Sequence, residues 1–164
     1  MELAAAHKLA SRNHVGQHNR FGDPVIEHVE RVAAAVPADA QATALLHDLL
    51  ELSPTARWQL RRQDLSRTEQ EALELLTHAP GETYEAYVRR IADAAGPAGR
   101  LARVVKCADL EDHLAHPSIP SDAPPYAWAR KLLAERERTA QTAPATPAPA
   151  RRPRAKRRTS ESLR

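Results

Sequence analysis

The chain has 164 residues, 27% of them charged and only 4% aromatic, which is enough for one domain with a buried core and favours closely packed helices over a sheet. Its one cysteine, Cys107, excludes an internal disulfide and suits a reducing cytoplasm. No apolar run approaches the roughly 20 residues that span a bilayer, and the N-terminus lacks a signal peptide's charged start and apolar core, so a soluble cytoplasmic protein with no membrane partner is expected.

The net charge of +3 hides an uneven distribution. Seven of the 24 basic residues and one of the 21 acidic ones lie between Ala143 and Arg164, leaving a body of −3 and a tail of +6.

Residues 2–13 read as a helix of good helix formers. His14 to Gly22 breaks the pattern with two glycines and polar side chains. Asp23-Pro24 signals a helix start, with Asp as N-cap and Pro at the first helical position. In the helix that follows, Val25, Val29, Val32, Ala33 and Val36 form the apolar face, and His28 points inward with them. Pro37-Ala38-Asp39 is expected to end that helix and cap the next, from about Ala40 to Leu52. This second helix carries Ala42, Leu45, Leu46, Leu49 and Leu50 at helical spacing, with His47-Asp48 among them.

Ser53-Pro54 restarts the chain into a short helix ending near Arg62. Ser66 and Glu69 predict a capping box for a helix over about Thr68–Thr77. Ala79-Pro80-Gly81 reads as a turn, Thr83 to about Ala94 as a helix, and Gly96-Pro97-Ala98-Gly99 as a break. From Arg100 to Leu114 a helix is expected whose apolar stripe is Leu101, Val104, Val105 and Ala108, with Lys106, Asp109 and His113 along one line of its surface. A proline-bearing loop (117–125) leads to a last helix, Tyr126 to about Thr139. Nothing alternates with strand period, so an all-α body over residues 1–139 is expected. Beyond it, Pro recurs every few residues and apolar groups are scarce, so 140–164 reads as a disordered tail.

Four polar side chains on three predicted helices, His28, His47, Asp48 and Asp109, sit among core-facing aliphatics, where an unpaired charge is costly. Two imidazoles and two carboxylates would be satisfied together by one divalent cation with positions left for water. The plain alternative is a core His beside a hydrogen-bonded Asp.

These residues fall within His14-Val15-Gly16-Gln17, Gly22-Asp23-Pro24-Val25-Ile26-Glu27-His28, Ala44-Leu45-Leu46-His47-Asp48-Leu49-Leu50-Glu51 and Val105-Lys106-Cys107-Ala108-Asp109-Leu110. In that order, over roughly residues 3–116, they resemble the HD-domain metal-dependent phosphohydrolases. Within these they are similar to the hydrolase domain of the RelA/SpoT alarmone (ppGpp) enzymes and its stand-alone relatives. The segment Leu76 to Arg90 looks like small stand-alone bacterial HD proteins of that branch.

The resemblance implies a compact helical bundle. It also implies one metal ion held by His28, His47, Asp48 and Asp109, manganese first, with zinc, iron, cobalt or magnesium as alternatives. Glu51, four residues after His47 and three after Asp48, is then placed to orient or deprotonate a water, with Asp48 as its catalytic partner. Arg20 and Lys106 are candidate phosphate contacts, and Tyr84 and Arg89 candidates for gripping a phosphate or stacking on a base. The implied reaction is hydrolysis of a nucleotide phosphate ester or pyrophosphate, guanosine 3′-diphosphates first.

The chain departs from the alarmone pattern at three places. Leu52 stands where a second acid follows Glu51, Val25 where Tyr precedes the first ligand His, and His113 where Asn follows the last Asp. His113 could be a further ligand, a proton donor or a substitute hydrogen-bond donor. These departures motivate the alternative of a non-catalytic module that binds a nucleotide or partner. The tail run Arg151 to Arg158 suits nonspecific phosphate contacts with nucleic acid. No aromatics interleave with it for base stacking.

Overall fold

The computed structural model describes residues 1–53, 55–116 and 123–142. The expected loop over 117–125 lies mostly outside the described residues, and so does the tail from 143 onward with its arginine run. The described chain is all-α, as its composition and periodicity imply. Its helices are α1 (Leu3–Asn13), α2 (Val25–Ala34), α3 (Gln41–Leu45), α4 (Leu49–Leu52), α5 (Ala56–Leu60), α6 (Arg67–Leu76), α7 (Tyr84–Asp93), α8 (Gly96–Ala115) and α9 (Tyr126–Thr142). Among the described residues, strand-like pairing is confined to a single bridge between His18 and Pro24. No helix among them is long and apolar enough to cross a membrane.

The core forms where the apolar stripes meet. In α2, Val25, Val29, Val32 and Ala33 are buried together with His28, and α7 buries Tyr87, Val88, Ile91 and Ala92. Helix α8 runs through the middle and packs against α2, α6, α7 and α9. Its buried set is wider than the expected stripe: Ala98, Ala102, Arg103 and Leu110 join Val105 and Ala108, whereas Leu101 and Val104 stay half-buried.

The capping box of α6 forms as read. The Glu69 amide donates to Ser66 Oγ at 3.2 Å and the Ser66 amide to Glu69 Oε2 at 2.7 Å. Thr83 likewise caps α7 by accepting from the Ala86 amide.

Five local expectations need correction. Asp23 does not cap α2. Pro24 takes the N-cap position with no side-chain cap, and its carbonyl accepts from Glu27 and His28, so Asp23 sits one residue too early. Nor does Asp39 cap α3, which starts after Ala40 without a side-chain cap.

The segment 96–99 is not a break but the first turn of α8, with Gly96 at φ +74° and Pro97 in a first-turn position that needs no N–H donor. Gly99 belongs there for lack of a side chain, since a Cβ would lie 2.1 Å from the Ala94 carbonyl oxygen. Helix α9 runs on to Thr142, past the expected end at Thr139.

The largest difference is that the helix expected over Ala40–Leu52 is two short helices with Leu46, His47 and Asp48 in a turn between them. There the amides of Leu46, His47 and Leu49 bond back three residues rather than four, a tightened winding. The His47 side chain explains it. Its Nδ1 takes the Ala44 carbonyl at 2.6 Å, the acceptor that a continuous helix would offer to the Asp48 amide.

The α6–α7 connection carries a pH-dependent clasp. Arg90 of α7 donates to both Glu82 oxygens and to the Leu75 and Thr77 carbonyls. It holds the Glu82 carboxyl down to about 2, with the Ala79 amide assisting. A depressed folded-state pKa means the stabilisation is complete above the ordinary carboxylate range and fades as pH falls from there toward about 2. Glu82→Gln is therefore expected to lower the urea midpoint at neutral pH, with the gap to wild type narrowing in acid. A gap that stays constant with pH would contradict the ion-pair account.

Candidate metal centre

Three parts of the fold bring the predicted ligands to one place. Helix α2 supplies His28, the α3–α4 turn supplies His47 and Asp48, and α8 supplies Asp109. His28, His47 and Asp109 are all buried, and Asp48 is half-buried at the edge. His28 Nε2 lies 3.2 Å from Asp109 Oδ1 and 3.7 Å from Asp48 Oδ2. His47 Nε2 lies 3.3 Å from Asp48 Oδ1 and 3.6 Å from Asp109 Oδ1.

These contacts are close but poorly aligned as hydrogen bonds. The Nε2 atoms of His28 and His47, together with His113 Nδ1, are buried without a hydrogen-bond partner among the described residues. Buried polar atoms left unpaired in this way are rare and need a reason.

A metal ion supplies one. Metal–ligand distances near 2.1 Å put neighbouring ligand atoms about 3.0–3.4 Å apart, close to the separations seen here. Two ligand triads share His28 and keep their ligand atoms within 4.8 Å of one another: His28, His47 and Asp48, and His28, Asp109 and His113. These buried His and Asp groups could hold a metal ion.

The ring nitrogens are already sorted for the task. A carbonyl only accepts, so the Nδ1 of His47 that meets Ala44 carries the proton, leaving Nε2 toward the carboxylates. His28 Nδ1 is engaged by Asp112 Oδ2 at 2.8 Å.

The electrostatics balance burial against charge. Burial would lower the His28 imidazole, but the Asp109 and Asp112 carboxylates outweigh it and push it up to about 10. His47 also rises, because Asp48 and then Asp109 outweigh its burial. Burial would raise Asp109, yet Lys106, then His28 and His47, hold it well below the ordinary carboxylate range. The carboxylates thus favour the protonated form of both imidazoles, and a cation must compete with those protons.

Lys106 Nζ lies 2.8 Å from Asp109 Oδ2 and 5.0 Å from the centroid of the Tyr87 ring. The oxygen it faces is the one turned away from the imidazoles.

Around the cluster the remaining candidates divide. His113 stacks parallel to His28 at 4.9 Å between centroids, with Tyr126 at 4.8 Å and Phe21 at 5.3 Å. Its Nδ1 is 3.6 Å from Asp109 Oδ1, and burial holds it below its ordinary pKa. Tyr84 sits near Lys106, Tyr126 and Arg20, its hydroxyl buried without a partner and pushed up to about 12 by that burial. Arg20 is exposed, and its positive charge opposes the rise that burial gives the Tyr126 hydroxyl.

Glu51 is not on one continuous helix face with the doublet, because the helix breaks between them. Its Oε1 accepts from the His78 amide at 2.5 Å, and burial of its carboxyl end raises its pKa although much of the side chain is exposed. Arg89 stands apart from the cluster, bonded to Glu85 and lying over the Trp128 ring.

Sequence reasoning missed Asp112, which contacts His28 directly, and the aromatic neighbours Phe21 and Tyr126. A signal for Asp112 was present, since it follows Asp109 by three residues and therefore shares its face of α8. No protein-family model matches the chain, and no curated protein matches it.

Proposed function

We propose that the protein is a metal-dependent phosphohydrolase of the HD type that removes a phosphate or pyrophosphate group from a nucleotide, guanosine 3′-diphosphates being the first substrates to try. The observation that carries this reading is the convergence of two unpaired buried imidazole nitrogens and two carboxylates from three parts of the fold. His28, His47, Asp48 and Asp109 would hold one divalent ion. The mixed nitrogen and oxygen donors suit manganese, iron, cobalt or zinc better than magnesium, which prefers an all-oxygen shell. Such an ion, when bound, lowers the pKa of water and polarises a phosphoryl oxygen.

The chain's own groups would do the rest. Lys106, Arg20 and the Tyr84 hydroxyl lie together beside the cluster and offer charge and a hydrogen bond to phosphate oxygens. Glu51, whose pKa burial raises, suits accepting a proton from water once it leaves the His78 amide.

That same contact favours a second reading, a catalytically degenerate module that binds nucleotide, because Glu51 is engaged elsewhere and exposed Leu52 replaces a second acid. The deciding experiment is a phosphatase screen over nucleotides, including 3′-diphosphates, with manganese, zinc and magnesium compared. Turnover by wild type and its loss in Asp48→Ala is the expected result. Purified protein that takes up no divalent metal, or activity untouched in Asp48→Ala, would end the hydrolase reading. Metal-loaded protein that binds guanine nucleotides without turnover would support the second.

A further inference from the structure

Asp112 belongs to neither ligand triad, yet it is the carboxylate most firmly placed beside the cluster. Its Oδ2 lies 2.8 Å from His28 Nδ1. Arg31 grips the same carboxylate with two nitrogens, Nε to Oδ1 at 2.7 Å and Nη2 to Oδ2 at 3.0 Å, the bidentate geometry that fixes a carboxylate in direction as well as position. Arg31 lies one turn after His28 on α2, and Asp112 one turn after Asp109 on α8. The clasp therefore joins the two helices that carry these ligands, at the height of the ligands themselves.

We infer that Asp112, held by Arg31, is a positioning residue of the metal centre: it fixes the His28 ring so that Nε2, and no other ring atom, faces the cation position. This rests on the metal reading above.

The reasoning starts from the symmetry of an imidazole. Rotating the ring by half a turn would exchange the positions of its nitrogens and carbons, and shape alone in a buried slot discriminates weakly between the two. At His28 the discrimination comes from chemistry on one edge. Nδ1 has a charged acceptor at 2.8 Å, whereas the flipped ring would set a carbon against that carboxylate and leave the buried Nδ1 without its acceptor. The parallel stack on His113 limits tilting of the plane but is indifferent to the flip. Asp112 is thus the group that selects the orientation. A carboxylate on the distal nitrogen also makes the imidazole a more basic ligand, and such outer partners commonly govern affinity.

A purely structural α2–α8 ion pair would predict something different, and metal affinity separates the two. The measurements are Mn2+ titration by calorimetry, with free Mn2+ followed by its paramagnetic resonance signal, and urea unfolding in excess chelator. Asp112→Ala is expected to weaken Mn2+ binding by about 10–100-fold. Asp112→Asn keeps an acceptor against Nδ1 and should recover most of that loss. Arg31→Met leaves Asp112 in place but loosely held, and should weaken binding several-fold. If Asp112→Ala fails to fold, the Asn and Arg31→Met variants carry the test.

Mn2+ affinity in Asp112→Ala within about threefold of wild type would overturn the inference. Equal losses in the Ala and Asn variants would do so as well, because they would assign the effect to charge alone. Wild-type protein that binds no divalent metal sinks the metal reading itself, and this inference with it. Wild-type binding that is unchanged in Asp112→Ala sinks the positioning role only.

Discussion

Asp109→Ala is expected to destabilise the metal-free protein by about 3–5 kcal/mol, because it leaves a buried ammonium without its counter-charge. Lys106 and Asp109 are 12% and 2% exposed at their side chains, with 2.8 Å between Nζ and Oδ2. Burial acts against both charges, and each is kept ionised by the other.

Removing the carboxylate also strips His28 and His47 of a neighbour that helps hold their protons. Lys106→Met should cost less, since Asp109 would keep two imidazoles beside it. The double replacement Lys106→Met with Asp109→Leu should recover much of the loss, as apolar residues of similar volume often substitute for buried ion pairs. Urea unfolding in excess chelator reads all three without interference from metal. A loss under about 1 kcal/mol in Asp109→Ala would mean water reaches Lys106 readily and the pair is weak. On the metal reading, the same variant also fails to bind Mn2+.

Leu46→Ala is the second large effect, at about 2–5 kcal/mol. Leu46 is fully buried in the turn between α3 and α4, next to His47, and a cavity there cannot be refilled by a turn already tightened around its neighbours. Deleting its methyls should therefore do two things. It should lower stability in chelator, and it should loosen the seat of His47 and Asp48, so that on the metal reading metal affinity falls as well. Leu52→Ala is the matched control. Leu52 is 42% exposed in α4, and its truncation should stay within about 0.5 kcal/mol of wild type. Comparable losses at the two positions would contradict the assignment of Leu46 to the core that supports the doublet.

The pattern of what could be read and what could not has a physical cause. Residues whose state depends on their own helix were legible. Val25, His28, Val29 and Val32 share a face at spacings of three and four, and that spacing alone points them inward. The Ser66–Glu69 capping box likewise needs only four consecutive residues. Even the candidate ligand set could be listed, because a charged or imidazole side chain on an apolar stripe requires a partner wherever the fold turns out to supply one.

Expectations failed where a side chain competed with the backbone or where a partner came from another element. His47 broke the helix around it by taking the Ala44 carbonyl, an event that helical periodicity does not register. Pro97 began a helix instead of interrupting one, because its place in the first turn asks nothing of its missing N–H. Arg89 bonds Glu85 and lies over the Trp128 ring, and Glu51 accepts from the His78 amide, contacts that the spacing of the sequence did not indicate.

By itself, then, the sequence determined that the body is helical, which faces are apolar and which four polar residues are stranded among them. All of that is set by spacing along single helices. Only the tertiary structure decided that those four face one another, that Lys106 closes one oxygen of Asp109, and that Asp112 and Arg31 hold His28 from behind. Those facts depend on how α2, the α3–α4 turn and α8 pack together, and contacts between residues some 80 positions apart leave no periodic trace in the chain.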